Sequence, residues 1–148
     1  MPRPIPPPAP GQVIRYSYLW ADELERGAEE GRKDRPSLVL ALSVCDLNGV
    51  TQVLVLAVTH APPRRPGDAV RLPEPVKRAL GLDEAPSWIV VSEANAFVWP
   101  GPDLRPIPGR RPRTHVYGSL PRELLVQVAR AYLARVKRGG SRRIARTK

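Results

Sequence analysis

The chain has 148 residues, 42% hydrophobic content and a formal net charge of +10, enough for one domain with a real core and too little for two ordinary ones. No apolar run approaches the roughly 20 residues of a membrane helix. The opening MPRPIPPPAPG lacks the apolar centre of a signal peptide, so a cytoplasmic protein without a membrane partner is expected.

In chain order, residues 1–10 read as a polyproline-like arm with no core of its own. QVIRYSYLW follows as a strand, with Ile14, Tyr16, Tyr18 and Trp20 alternating on one face and Arg15 and Ser17 on the other. ADELERGAEEGRKDR, charged and without an apolar stripe, reads as a long mobile loop. SLVLALSVC and TQVLVLAVT are apolar, β-branched runs separated by Asn48-Gly49, whose tolerance of positive φ makes a hairpin. Cys45, the single cysteine, rules out an internal disulfide and reads as a small buried hydrophobe in that hairpin. DAVRLP suggests a short strand, EPVKRALGL a short helix ending at Gly81, and SWIVVSE and AFVW two more strands. The last predicted element is a helix with Ser119 as N-cap, Pro121 in its first turn, and Leu125, Val128, Ala129, Tyr132 and Val136 as its apolar stripe, stopped by Gly139. These elements predict a mainly β, α+β fold: a small antiparallel barrel with a C-terminal amphipathic helix. The expected division is an arm over 1–10, a domain over 11–138 and a basic, disordered tail over 139–148.

The basic charge lies in that tail (Arg142, Arg143, Arg146, Lys148) and in loops. The loop cations include RKDR with Arg32 and Lys33, RR at Arg64 and Arg65, and RPIPGRRPR. Such an excess points to a polyanion partner; solubility charge is the plainer alternative. One cysteine and two distant histidines match no metal-ligand spacing, and no phosphate-loop or GxSxG pattern occurs. What remains is chemistry on an anion. Cleavage of RNA through its own 2′-hydroxyl needs a base, an acid and cations or donors around phosphorus. Arg35 stands just before the first hairpin strand and Thr59-His60 just after the second. A turn centred on Asn48-Gly49 brings Arg35 near positions 60–62, so one sheet edge receives arginine, threonine and histidine, provided the register carries no bulge. The same residues also suit a plain strand end, with Thr59 closing the strand, His60 capping a Pro-Pro turn and Arg35 snorkelling. His115 reads as structural or solvated. Trp88, Phe97 and Trp99 read as core, although Trp99 before Pro100-Gly101 alternatively offers a base-stacking face.

Five segments in order, PGQVIRYSYLW, RPSLVLALSV, VLVLAVTHAP, GLDEAPSWIVVSEANAFVW and YGSLPRELLVQVARAYL, resemble the MazF/PemK family of toxin–antitoxin growth inhibitors over residues 10–137. The resemblance implies an SH3-like barrel, a homodimer, neutralisation by a cognate antitoxin, and cofactor-free, metal-independent, sequence-selective cleavage of single-stranded RNA. Gly11-Gln12-Val13 matches the family's opening, Arg35-Pro36 its catalytic arginine, Glu30 a glutamate of several members, and Thr59 the threonine ending the third strand. Two departures stand out. The family's Pro-x-Thr-Ser is here Ala57-Val58-Thr59-His60, where the histidine either supplies acid–base function or marks a site that has drifted. The family's Ala-Asp-Gln-x-Arg-Thr segment is here SEANAFVW, where Glu93 and Asn95 are the polar substitutes for RNA contact. The alternative is a non-catalytic binding module of the same fold, since the sibling CcdB branch poisons gyrase without nuclease chemistry.

Overall fold

The computed structural model describes residues 5–27, 33–45, 49–139 and 141–146. Its elements run β1 (Gln12–Tyr16), α1 (Ala21–Glu25), β2 (Arg35–Cys45), β3 (Val50–Thr59), a 3₁₀ turn (Pro66–Asp68), β4 (Ala69–Leu72), α2 (Glu74–Leu80), β5 (Ser87–Val90), β6 (Glu93–Val98), β7 (Val116–Ser119), α3 (Arg122–Lys137) and β8 (Arg142–Ala145). Glu30, Arg32, Asn48, Lys148 and the side chain of Cys45 lie outside the described set.

The β2–β3 hairpin is the centre of the fold, and Gly49 takes the positive φ of 68° that its turn demands. Its register differs from the expected one. Cys45 pairs with Val50, so the turn centres earlier than Asn48-Gly49, and a bulge between Val39 and Ala41 moves the register once more. Extending the resulting Ser37↔Ala57 pairing by two residues puts Arg35 across from Thr59 rather than from 60–62.

β3 keeps β2 along one side and divides its other side between two partners. Gln52–Val55 pair with β6, while Val58 and Thr59 pair with β5, which continues to β4. β1 lies on the far side of β2 and carries β7 at its own edge. The result is a mainly antiparallel sheet curled as a half-barrel with helices on it. Alternate side chains of the central strands enter two cores. Val13, Leu38, Leu56 and Val58 pack with Leu80 of α2 and Leu124, Val128 and Tyr132 of α3. Ile14, Tyr16, Val39, Val53 and Val55 pack with Tyr18, Phe97 and Trp99. Burial on both faces over Ser37–Val39 and Val55–Val58 explains why those parts of the hairpin read as continuous apolar runs, whereas its turn end, with Val44 exposed, is not so covered.

Four expectations are corrected at this level. Ser119 closes β7 against Gln12, so α3 begins behind Pro121, and Leu124 enters the core while Val136 stays exposed. The loop after Trp20 contains α1, whose first turn is capped by the Glu23 carboxylate accepting the Trp20 amide at 3.0 Å. β7 had no strand signal in the sequence. The tail is not disordered over 142–146: β8 pairs parallel with β6, and Ile144 is buried against Leu19 and Ala21. Arg146 is buried too, donating to the Ser17 carbonyl at 2.8 Å and to Asn95 Oδ1 at 3.1 Å, with Asp103 Oδ2 at 2.9 Å. Burying Ile144 and pairing that guanidinium offset the cost of ordering the segment. Among the described residues no helix is long and apolar enough to cross a membrane.

Candidate nucleic-acid interface

Where the hairpin ends meet, a two-lobed cleft opens. The larger lobe encloses 810 Å³ and includes Trp20, Glu23, Arg64 and Ser92; the smaller, of 560 Å³, includes Arg15, His60, Lys77 and Asp83. Lys33, Arg35 and Thr59 line both, so they form the ridge between the lobes.

Arg35 opens β2 and lies with its guanidinium carbon 5.0 Å from the centre of the Trp20 ring. Its Nε is buried without a hydrogen-bond partner among the described residues. Burial lowers its pKa from the ordinary value, while the charge of Glu23 opposes that shift. A half-covered cation that lines both lobes is suited to receive an anion. Thr59 ends β3, and its hydroxyl oxygen accepts the Ala61 amide at 3.2 Å, leaving the hydroxyl hydrogen to donate. His60 is exposed, with Nε2 facing the Asp83 carboxylate at 3.0 Å from Oδ2 and 3.1 Å from Oδ1. Oδ1 also accepts from Lys77 Nζ at 2.9 Å and from the Ala85 amide at 3.1 Å. Lys77 and, secondarily, His60 hold the Asp83 carboxyl below its ordinary pKa.

Of the expected site residues, Arg35, Thr59, His60, Lys33 and Arg64 therefore converge on one cleft. Glu30 and Arg32 lie outside the described residues. Arg65 is exposed at the start of the 3₁₀ turn and does not line the cleft. Three expected RNA contacts are corrected. Asn95 is 0% exposed, and its amide brackets the backbone of Leu19, accepting at 2.9 Å and donating at 2.8 Å. Trp99 is 9% exposed, packs on Phe97 and His115, and donates its indole N–H to the Ile5 carbonyl at 3.1 Å. Glu93 accepts the Ala21 amide at 3.0 Å and the Tyr18 hydroxyl at 3.3 Å, and burial raises its carboxyl pKa. Glu93 and Asn95 face inward because β6 is covered by segment 17–21 and at its edge by β8, while Trp99, just beyond β6, is covered by Phe97, His115 and the backbone at Ile5. Glu93 and Asn95 tie down residues 18–21, the segment that carries Trp20 into the cleft wall.

Sequence reasoning missed Trp20, Glu23, Asp83 and Lys77. A Glu three residues after Trp20 is a helix-start signal, and an acidic residue soon after the Gly81 helix stop is a recognisable loop tie. Neither cue says that the residue faces a cleft. Among the described residues no group of three His, Cys, Asp or Glu side chains is placed to hold a metal ion. The chain matches no family model, no curated protein and no solved structure.

Proposed function

We propose that this protein is a metal-independent, sequence-selective endoribonuclease for single-stranded RNA. In this reading it is a cytoplasmic growth-inhibiting toxin of the MazF/PemK kind, built on an SH3-like barrel, dimeric and neutralised by an antitoxin. The observation that carries the reading is the ridge on which Arg35 and Thr59 stand side by side between two lobes. A phosphodiester laid across it keeps one flanking nucleotide in each lobe.

The substrate's 2′-oxygen attacks phosphorus, the bond to the 5′-oxygen breaks, and the products are a 2′,3′-cyclic phosphate and a 5′-hydroxyl. Arg35 places its guanidinium charge beside the phosphoryl oxygens, where negative charge grows in the transition state. The Thr59 hydroxyl donates to the same group and orients it. His60 handles the proton leaving the 2′-hydroxyl. The reaction needs no external nucleophile, so positioning and charge stabilisation supply most of the rate.

The test is incubation of a long single-stranded RNA with the protein in EDTA, beside Arg35→Ala. Discrete fragments with 2′,3′-cyclic phosphate ends are expected. Arg35→Ala should lower the rate by about 10²–10³; near-wild-type cleavage by that variant removes Arg35 from the site. A second reading, a non-catalytic binding module of the same fold, draws on the inward turn of residues 93–99, which takes three polar or aromatic groups away from any RNA. RNA retarded on a gel but left intact would favour it.

A further inference from the structure

We propose that Asp83 is a positioning residue for His60, and that the pair forms a proton-transfer dyad anchored from below by the buried ammonium of Lys77. The inference rests on the ribonuclease reading and extends it to residues that no sequence motif marks.

The geometry divides the Asp83 carboxylate between two tasks. Oδ1 is engaged by Lys77 Nζ at 2.9 Å and the Ala85 amide at 3.1 Å, which fix the carboxylate in the loop after α2. Oδ2 is turned to His60, whose Nε2 lies 3.0 Å from it and 3.1 Å from Oδ1. Lys77 is 2% exposed, and its ammonium also donates to the Ala85 carbonyl. A buried cation that grips one carboxylate oxygen keeps Asp83 ionised and stationary. The loop is tied by the Lys77 and Ala85 bonds, so the His60 contact adds an orientation that the loop does not itself need.

An ionised carboxylate accepts and cannot donate, so His60 must present an N–H at Nε2. That assigns the neutral tautomer and leaves the Nδ1 lone pair as the base. Nδ1 takes the proton of the 2′-hydroxyl as the 2′-oxygen–phosphorus bond forms. The 5′-oxygen departs with the electron pair of its broken bond and takes a proton from solvent. The imidazolium, neutralised by Asp83, then returns its proton to solvent. Lys33, Arg35, Arg15 and Lys77 are the cations of this lobe, and Asp34 is its other carboxylate.

The experiment measures single-turnover RNA cleavage for wild type, Arg35→Ala, His60→Ala, Asp83→Asn, Asp83→Glu and the His60→Ala/Asp83→Asn double variant. Urea midpoints serve as a check on folding. The amide oxygen introduced by Asp83→Asn still accepts from Lys77 and Ala85, so the loop stays tied. His60→Ala is expected to lose on the order of 10² in rate, and Asp83→Asn about tenfold. The double variant should be no slower than His60→Ala alone, because a residue acting through His60 has nothing left to position. Added imidazole should restore part of the His60→Ala rate whether or not Asp83 is present. Asp83→Glu, which keeps the charge, should recover more activity than Asp83→Asn. A wild-type rate for Asp83→Asn overturns the inference while leaving the nuclease intact, and so does an undiminished tenfold loss in the His60→Ala background. Failure of wild type to cleave removes the ribonuclease reading and the dyad with it, whereas full activity of Arg35→Ala moves the reaction away from this cleft and overturns the dyad alone.

Discussion

Arg35 and Tyr16 each hold a buried polar atom, in two different settings. The Nε of Arg35 is covered, but the rest of its guanidinium stands at a cleft, so the charge serves a ligand while the covered atom does not. The hydroxyl of Tyr16 is buried within the aromatic core, stacked on Phe97 at 4.5 Å, and has no hydrogen-bond partner among the described residues. An unsatisfied buried hydroxyl costs roughly 1–3 kcal/mol. Tyr16→Phe should therefore raise stability by about 1 kcal/mol, seen as a higher urea midpoint at unchanged slope. The acid limb of stability has its own marker in Asp83. Lys77 and His60 depress its folded-state pKa below the unfolded value of about 3.9. The group thus contributes stability above that value and loses it as pH falls through the lower folded pKa. Stability measured from pH 5 to pH 2 should fall less steeply for Asp83→Asn than for wild type.

At the scale of elements, β8 is the segment whose role changed most between sequence and structure. Arg146→Ala leaves Asp103 and Asn95 buried beside an empty space and should cost about 3 kcal/mol. Arg143→Ala, on an exposed position of the same strand, should cost less than about 0.5 kcal/mol by the same urea titration. Gly81, which stops α2 at φ 71°, is a second such point. A Cβ there meets Arg110 Nη2 at 2.8 Å, so Gly81→Ala should cost about 1 kcal/mol or more. The hairpin, both short strands flanking α2, and α2 itself were legible, because apolar runs and glycine stops are local signals. The bulge at Leu40 was not, since the apolar run SLVLALSV keeps no polar–apolar alternation to set its register, although Ala41, Ser43 and Val44 are exposed. β7 and β8 were illegible for a related reason. VYGS and RRIA are too short and too polar to announce burial, and their order comes from partners far along the chain. Arg35, Thr59 and His60 could be placed together from the hairpin alone. Asn95 and Trp99 could not be placed, because a polar or aromatic side chain on a strand reads alike whether it faces a core or a ligand.

For the molecule as a whole, the +10 charge overstates what a polyanion in the cleft would meet. Arg146 is buried, Arg15 and Arg105 flank Asp34 at 3.8 and 3.6 Å, and Arg135 pairs with Asp68 at 2.9 Å. Lys33, Arg35 and Arg64 are the expected cations that remain in the cleft. With three phosphates neutralised, binding of a 2′-O-methyl single strand, which lacks the internal nucleophile, should weaken with salt at a log–log slope of about −2. A slope near roughly −6 would instead mean that the outlying basic loops hold the RNA.

The parallel strand at the edge of β6 also sets an order of events during biosynthesis. The wall carrying Trp20 and Glu23 is pinned by an arginine whose bond to Ser17 spans 129 positions. At roughly 5–20 residues per second a ribosome needs on the order of ten seconds to travel that distance. Throughout that interval one side of the cleft has been translated while the guanidinium that secures it has not. The contact that secures this wall therefore forms only after the wall's own segment and the hairpin have been made.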